Sequence, residues 1–114
     1  MTKAETEGGL VDMDTPVKLM MSWNIVPGQE EACLSFITTD LPAAMEEAGL
    51  ELADAWFSAY GNWPQIRISF LSSDLSRLQA FLTSDTWRKL KRRLLSFTQG
   101  YQQKIIVARR SFQI

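Results

Sequence analysis

The chain has 114 residues, 46% hydrophobic and 22% charged, with a formal net charge of −1 and no histidine. That length holds one globular core and not two, and no run of ~18 consecutive apolar residues is present to cross a membrane. Without imidazole, this chain alone cannot build a Ser-His or Cys-His nucleophile pair, a histidine-ligated haem or most zinc sites.

Residues 1–15 are acidic, contain Gly8-Gly9 and show no sustained period, so they are expected to form a flexible tail. They also lack the apolar run of a signal peptide. The single cysteine, Cys33, has no internal disulfide partner. Both features point to a reducing, cytoplasmic setting. Residues 16–114 read as one domain.

From Val17 to Val26 the residues alternate, with Leu19, Met21, Trp23 and Ile25 on one side and Lys18, Met20, Ser22 and Asn24 on the other. This is a strand stopped by Pro27-Gly28. Gln29 to Ala48 reads as a helix whose apolar stripe runs through Cys33, Phe36, Ile37, Leu41 and Met45. Pro42 lacks the N–H a helix needs, so a kink or restart is expected near Thr39-Asp40, and Gly49 ends the helix. Glu51–Tyr60 and Gln65–Ser72 alternate on either side of Gly61-Asn62-Trp63-Pro64, the pattern of an antiparallel hairpin. In the first of these strands Ala53, Ala55, Phe57 and Ala59 are expected opposite Asp54, Trp56, Ser58 and Tyr60.

Ser73 or Asp74 is placed to cap a helix beginning at Leu75. Thr83-Ser84-Asp85 interrupts it, and Trp87, Leu90, Leu94 and Leu95 carry a second stretch to Phe97. Gly100 is the expected stop, and Tyr101 to Ile114 the last strand.

The order is thus β-α-β-β-α-β. It predicts an α+β, ferredoxin-like domain with a four-stranded antiparallel sheet and both helices on one face. The other face would carry Met20, Trp56, Tyr60 and Leu71 among polar residues, a patch of the size that marks an interface. A second copy closing on it would bury on the order of 2,000 Å².

The net charge hides a division. Residues 1–57 have two basic and eleven acidic side chains, a balance of −9; residues 58–114 have ten basic and two acidic, a balance of +8. Two readings are open. The basic run Arg88-Lys89-x-Lys91-Arg92-Arg93 could contact nucleic acid, or the acidic first helix and basic second helix could lie side by side and compensate. The run has no aromatics interleaved on its own face, and the chain's pI is near 5.4. Nucleic acid is therefore the less favoured partner. Gly8-Gly9 precedes no helix and makes no phosphate loop.

The opening VPGQEEACLSFI after a strand, and SSDLSRLQAFLTSDTWRKL before a closing strand, resemble the dimeric α/β-barrel superfamily over residues 17–114. The likeness is to its antibiotic-biosynthesis-monooxygenase-like and stress-responsive A/B-barrel branches. The motifs are the Pro-Gly after the first strand and the Ser84-x-x-Trp87 pattern. The resemblance implies a homodimer pairing through the open sheet face. It leaves activity open, because that superfamily holds oxygenases, haem-degrading enzymes and isomerases. Its haem-degrading branch uses a proximal histidine, which this chain lacks. No cofactor or metal is expected.

The residues with the best claim to a site are Trp23, Asn24, Phe57, Tyr60, Asn62 and Arg67. One reading is a pocket for a planar aromatic or anionic ligand, as in cofactor-independent monooxygenases of the resembled group. Arg67 would then face an enolate or phenolate, Asn24 or Asn62 would donate a hydrogen bond, and the alanines would leave space beneath the helices. The other reading is that the aromatics fill a core and a dimer seam. Cys33, on the apolar stripe of the first helix, reads as a small buried hydrophobe.

Overall fold

The computed structural model describes residues 4–6, 9–11, 13–58 and 65–108. Ala4–Thr6 (β1) and Gly9–Val11 (β2) pair antiparallel, with Glu5 opposite Leu10. Strands of three residues are too short to show a period, which is why alternation did not mark them. The remaining strands are Val17–Ile25 (β3), Glu51–Ser58 (β4), Gln65–Ser72 (β5) and Thr98–Val107 (β6). They form one antiparallel sheet in the order β4-β5-β3-β6. Each half contributes two strands separated in the sheet by a strand of the other half, so neither half is complete alone.

Between β3 and β4 runs one helical column: Glu30–Ser35 (α1), a π-helical turn Phe36–Asp40, and Leu41–Glu47 (α2). The expected disturbance near Pro42 takes this form. The Leu41 N–H donates to the Phe36 carbonyl, five residues back, one position before the proline that cannot donate at all. Thr38 Oγ1 donates to the Leu34 carbonyl at 2.7 Å within the widened turn. Gly49 follows with φ +84°, and a Cβ there would stand 2.5 Å from the Arg77 guanidinium.

Leu75–Leu82 (α3) and Asp85–Leu95 (α4) begin at the expected caps. Asp74 Oδ1 accepts from the Arg77 N–H at 2.6 Å, and Ser84 Oγ from the Trp87 N–H at 3.2 Å. The helix ends before Gly100, and β6 starts at Thr98, earlier than expected. Gly100 instead takes φ +67° where β6 carries one more residue than β3 between the pairs Ser22–Gln102 and Asn24–Gln99. A left-handed glycine in such a bulge bends the strand, and here Tyr101 stacks on Trp23 with ring centres 6.0 Å apart.

All four helices cover one face. Against them β3 turns Val17, Leu19, Met21, Trp23 and Ile25, none more than 1% exposed. Phe36, Leu41 and Met45 meet these from the first column, and Leu78, Trp87 and Leu94 from the second. An edge-to-face pair, Phe36 with Phe97 at 5.5 Å, ties the first column to the chain just beyond α4. The acidic and basic helices do lie side by side, but among the described residues only Asp40 and Arg93 form an ion pair between them.

Candidate functional site on the open face of the sheet

The pairing register sorts every strand residue onto the helix-covered face or the open one. On the open face of β3 stand Lys18, Met20, Ser22 and Asn24, all half-buried by their neighbours. Across β5 they meet Leu71, Ser69, Arg67 and Gln65; across β6 they meet Ile106, Lys104, Gln102 and Gln99. Beyond β5, strand β4 adds Asp54 beside Ser69 and Trp56 beside Arg67.

These side chains enclose a half-open depression of about 530 Å³, lined by Met20, Ser22, Arg67, Gln102 and Lys104. Successive residues of β3 and of the edge strand β6, Met21 and Gln103 among them, line it, so its shape is set by the sheet. The Arg67 guanidinium lies over the Trp56 ring, 5.3 Å from its centre. No carboxylate of the described residues pairs with Arg67 or Lys104. Asp54, the central acid of this face, accepts from Ser69 Oγ at 2.8 Å and lies 3.8 Å from Lys18 Nζ.

Of the six residues singled out from sequence, the four that are described lie on two different faces of the sheet. Trp23 lies on the helix face, 1% exposed, with its indole N–H donating to Cys33 Sγ at 3.4 Å. Phe57 is on that same face, paired with Ile66, but at the edge strand, and it is half exposed. Asn24 and Arg67 are on the opposite face. Tyr60 and Asn62 lie outside the described residues, as do Ala59 and Trp63. Space beneath the helices is occupied by Trp23, Phe36 and Phe70, each buried. Ala53 and Ala55 open no room there, because β4 is the edge strand and both are exposed. A bulge between Leu52 and Asp54 also breaks the expected alternation: Leu52 pairs with Phe70 and Asp54 with its neighbour Ser69, leaving Ala53 as the extra residue.

Sequence reasoning did not single out Lys104 and Gln102 as site residues. Their signal was the two-residue spacing Gln102-Lys104-Ile106, readable only once Met20 and Ser22 are known to face them.

Two groups have displaced proton affinities, both linked to the helix-covered core. Burial pushes the Cys33 thiol up from 9.0, with the Trp23 hydrogen bond acting weakly the other way. Burial likewise pushes the Tyr101 phenol well above its ordinary range. A buried thiol held protonated is a poor nucleophile. Among the described residues no three His, Cys, Asp or Glu side chains gather to hold a metal ion. On α4, Arg88 pairs with Asp85, Arg93 with Asp40, and Lys91 lies 5.6 Å from the Tyr101 ring centre. Among the described residues, only Lys89 and Arg92 of the basic run have no such partner, too few for a phosphate-tracking stripe.

The strand order and one-sided helix layer define an α+β, ferredoxin-like fold. Solved structures agree. An uncharacterised NIPSNAP-like domain protein from Burkholderia xenovorans matches with TM-score 0.63 and 14% identity, over 85% of this chain and 88% of that one. A candidate antibiotic biosynthesis monooxygenase from Nitrosomonas europaea matches with TM-score 0.66 and 9% identity, over 85% and 93%. A conserved Bacteroides thetaiotaomicron protein of unknown function matches with TM-score 0.68 and 9% identity, over 83% and 99%. No protein-family model and no curated protein matches the sequence. The likeness is one of fold. No helix among the described residues is long and apolar enough to cross a membrane.

Proposed function

We propose that this protein is a homodimer whose two open sheet faces close on each other, and that its working compartment is the chamber between them. The observation that carries this reading is the contrast along β3: its helix-covered side is filled, whereas its other side presents Met20, with Leu71 and Ile106 partly buried and Trp56 half exposed nearby, beside a half-open depression. An uncovered sheet face that carries apolar side chains gains by being covered, and a second copy can cover it through a symmetric, isologous contact. A small ligand, not nucleic acid, is the natural occupant of the chamber. The resembled oxygenases suggest an aromatic substrate beneath the helices, but Trp23 packs that space, which favours the chamber. The lone, buried Cys33 suits a reducing, cytoplasmic setting.

Sedimentation equilibrium tests the assembly. The expected mass is twice the 13.0 kDa of one chain. Met20→Lys, which sets a third cation beside Lys18 and Lys104, should return the mass to one chain with an unchanged far-UV spectrum. A wild-type chain that stays at 13.0 kDa at high concentration, and remains monodisperse, refutes the proposal.

A further inference from the structure

Closing the open face would take Arg67 and Lys104 out of water together with Met20. Neither has a counter-charge among the described residues of its own chain. Asp54 is engaged by Lys18 and Ser69. Glu51 shares this face but pairs with Leu71, four residues from Arg67 along β5, about 13 Å away in an extended strand. Two copies would therefore bring at least four cations into one seam. An uncompensated charge in a desolvated seam opposes association strongly. The apolar residues of this face favour pairing, and its cations resist it.

From this conflict we infer that the depression is a binding site for a small organic carboxylate, and that filling it drives the pairing of the two copies. The inference rests on the dimer proposed above. Arg67 and Lys104 flank β3 on opposite sides, beside Ser22 and Met20 respectively. Their backbones stand two strand spacings apart, on the order of 10 Å, which a small anion and two long side chains bridge. The Arg67 fork can meet both oxygens of one carboxylate, and its stacking on Trp56 limits the freedom lost on binding. The Ser22 hydroxyl and the Gln102 amide supply neutral donors between the cations, and Met20 offers an apolar wall to the body of the ligand. The volume of about 530 Å³ falls in the range of small-molecule sites. The anion lies open to water in one copy and is enclosed when the second copy closes over it, so it binds the dimer more tightly than the monomer and by mass action tightens the dimer.

The test uses the full chain, with benzoate as the probe, neutral benzamide as its isostere, and inorganic phosphate as a generic anion. Dimer dissociation is followed by sedimentation at constant ionic strength. Benzoate at ~10 times its own Kd should lower the dimer dissociation constant about tenfold for each site it fills in the dimer. Benzamide and phosphate should leave it unchanged. Arg67→Gln should abolish the benzoate response and yet tighten the ligand-free dimer, because it removes the buried charge; Lys104→Gln should act in the same two directions. A merely structural cation, paired across the seam, would instead weaken the ligand-free dimer when removed, and that result overturns the inference. Equal effects of benzamide and benzoate, or of phosphate and benzoate, overturn the assigned ligand class. A dimer indifferent to benzoate refutes the site while leaving the dimer standing. A chain that is monomeric with and without benzoate refutes both.

Discussion

Strand β3 belongs to two different environments at once. Its odd-numbered residues, Val17 to Ile25, have essentially no contact with water, while Lys18, Met20, Ser22 and Asn24 between them remain half-buried. The backbone is common to both sets, so the difference comes entirely from what lies above each face. On one side four helices supply Phe36, Leu41, Met45, Leu78 and Leu94. On the other side the described residues supply no covering element, and among them Arg67 and Lys104 form no ion pair. A sheet can be finished as a folding unit and still be incomplete as a surface.

Truncating the two faces should separate them most clearly. Trp23→Ala opens a large hole in the filled layer and should cost about 3–5 kcal/mol in urea unfolding. Trp56→Ala, made in the Met20→Lys background to remove pairing, should cost under ~1 kcal/mol, since its ring is already half in solvent. Similar costs for the two would mean that the faces do not differ as described.

Alkaline pH gives the next contrast. The folded chain holds the Cys33 thiol and Tyr101 phenol protonated above their ordinary values of 9.0 and 10.0. The unfolded chain loses those protons first, so stability is at its full value below about pH 9 and falls as pH rises beyond it. Tyr101→Phe should flatten the upper part of that fall, and Cys33→Ala the lower part. Stability that rises between pH 9 and 11 would contradict the burial of both groups.

Smaller effects map the helix layer itself. Ser84→Ala removes the acceptor for the Trp87 N–H and should cost about 1 kcal/mol by the same unfolding measurement. Asp40→Asn breaks an exposed ion pair with Arg93, and a loss of under ~1 kcal/mol that vanishes in 1 M salt is expected. The Thr98 hydroxyl is buried with no hydrogen-bond partner among the described residues. Thr98→Val should accordingly be neutral or stabilising by up to ~1 kcal/mol, and a clear destabilisation would reveal a partner for that hydroxyl.

Much of the fold was legible because local rules and burial agree. Alternation from Val17 to Ile25 assigned each residue of β3 to its correct face. Asp74 and Ser84 cap helices because each side chain can reach an N–H three residues on, a relation visible in sequence. The site was less legible. Period-two spacing tells which side a residue takes, but not whether a helix extends over it, so Phe57 and Trp23 looked equivalent although one is at the edge and the other at the centre. Bulges were invisible for a related reason: at Ala53 and Gly100 one extra residue shifts the pairing, and the cause lies in the opposite strand. Arg67 was identifiable as an isolated cation in an apolar strand. Its counterpart Lys104 comes from the other end of the chain and meets it only across β3.

The widened turn at Phe36–Asp40 decides which residues of the first helical column reach the sheet. Phe36 and Leu41 are both fully buried, yet five residues of regular helix would set them about 140° apart around the axis. The looser winding absorbs that mismatch like a spare tooth in a gear, letting α1 and α2 each mesh with the sheet in their own phase. Removing one residue between them would leave them four residues apart, about 40° in regular winding, and would keep Cys33 with Phe36 and Leu41 with Met45 turned toward the sheet. The extra residue is accommodated only because the turn widens: shortening it by one should preserve the burial of both sets, whereas a regular winding of all five would turn one of them toward solvent.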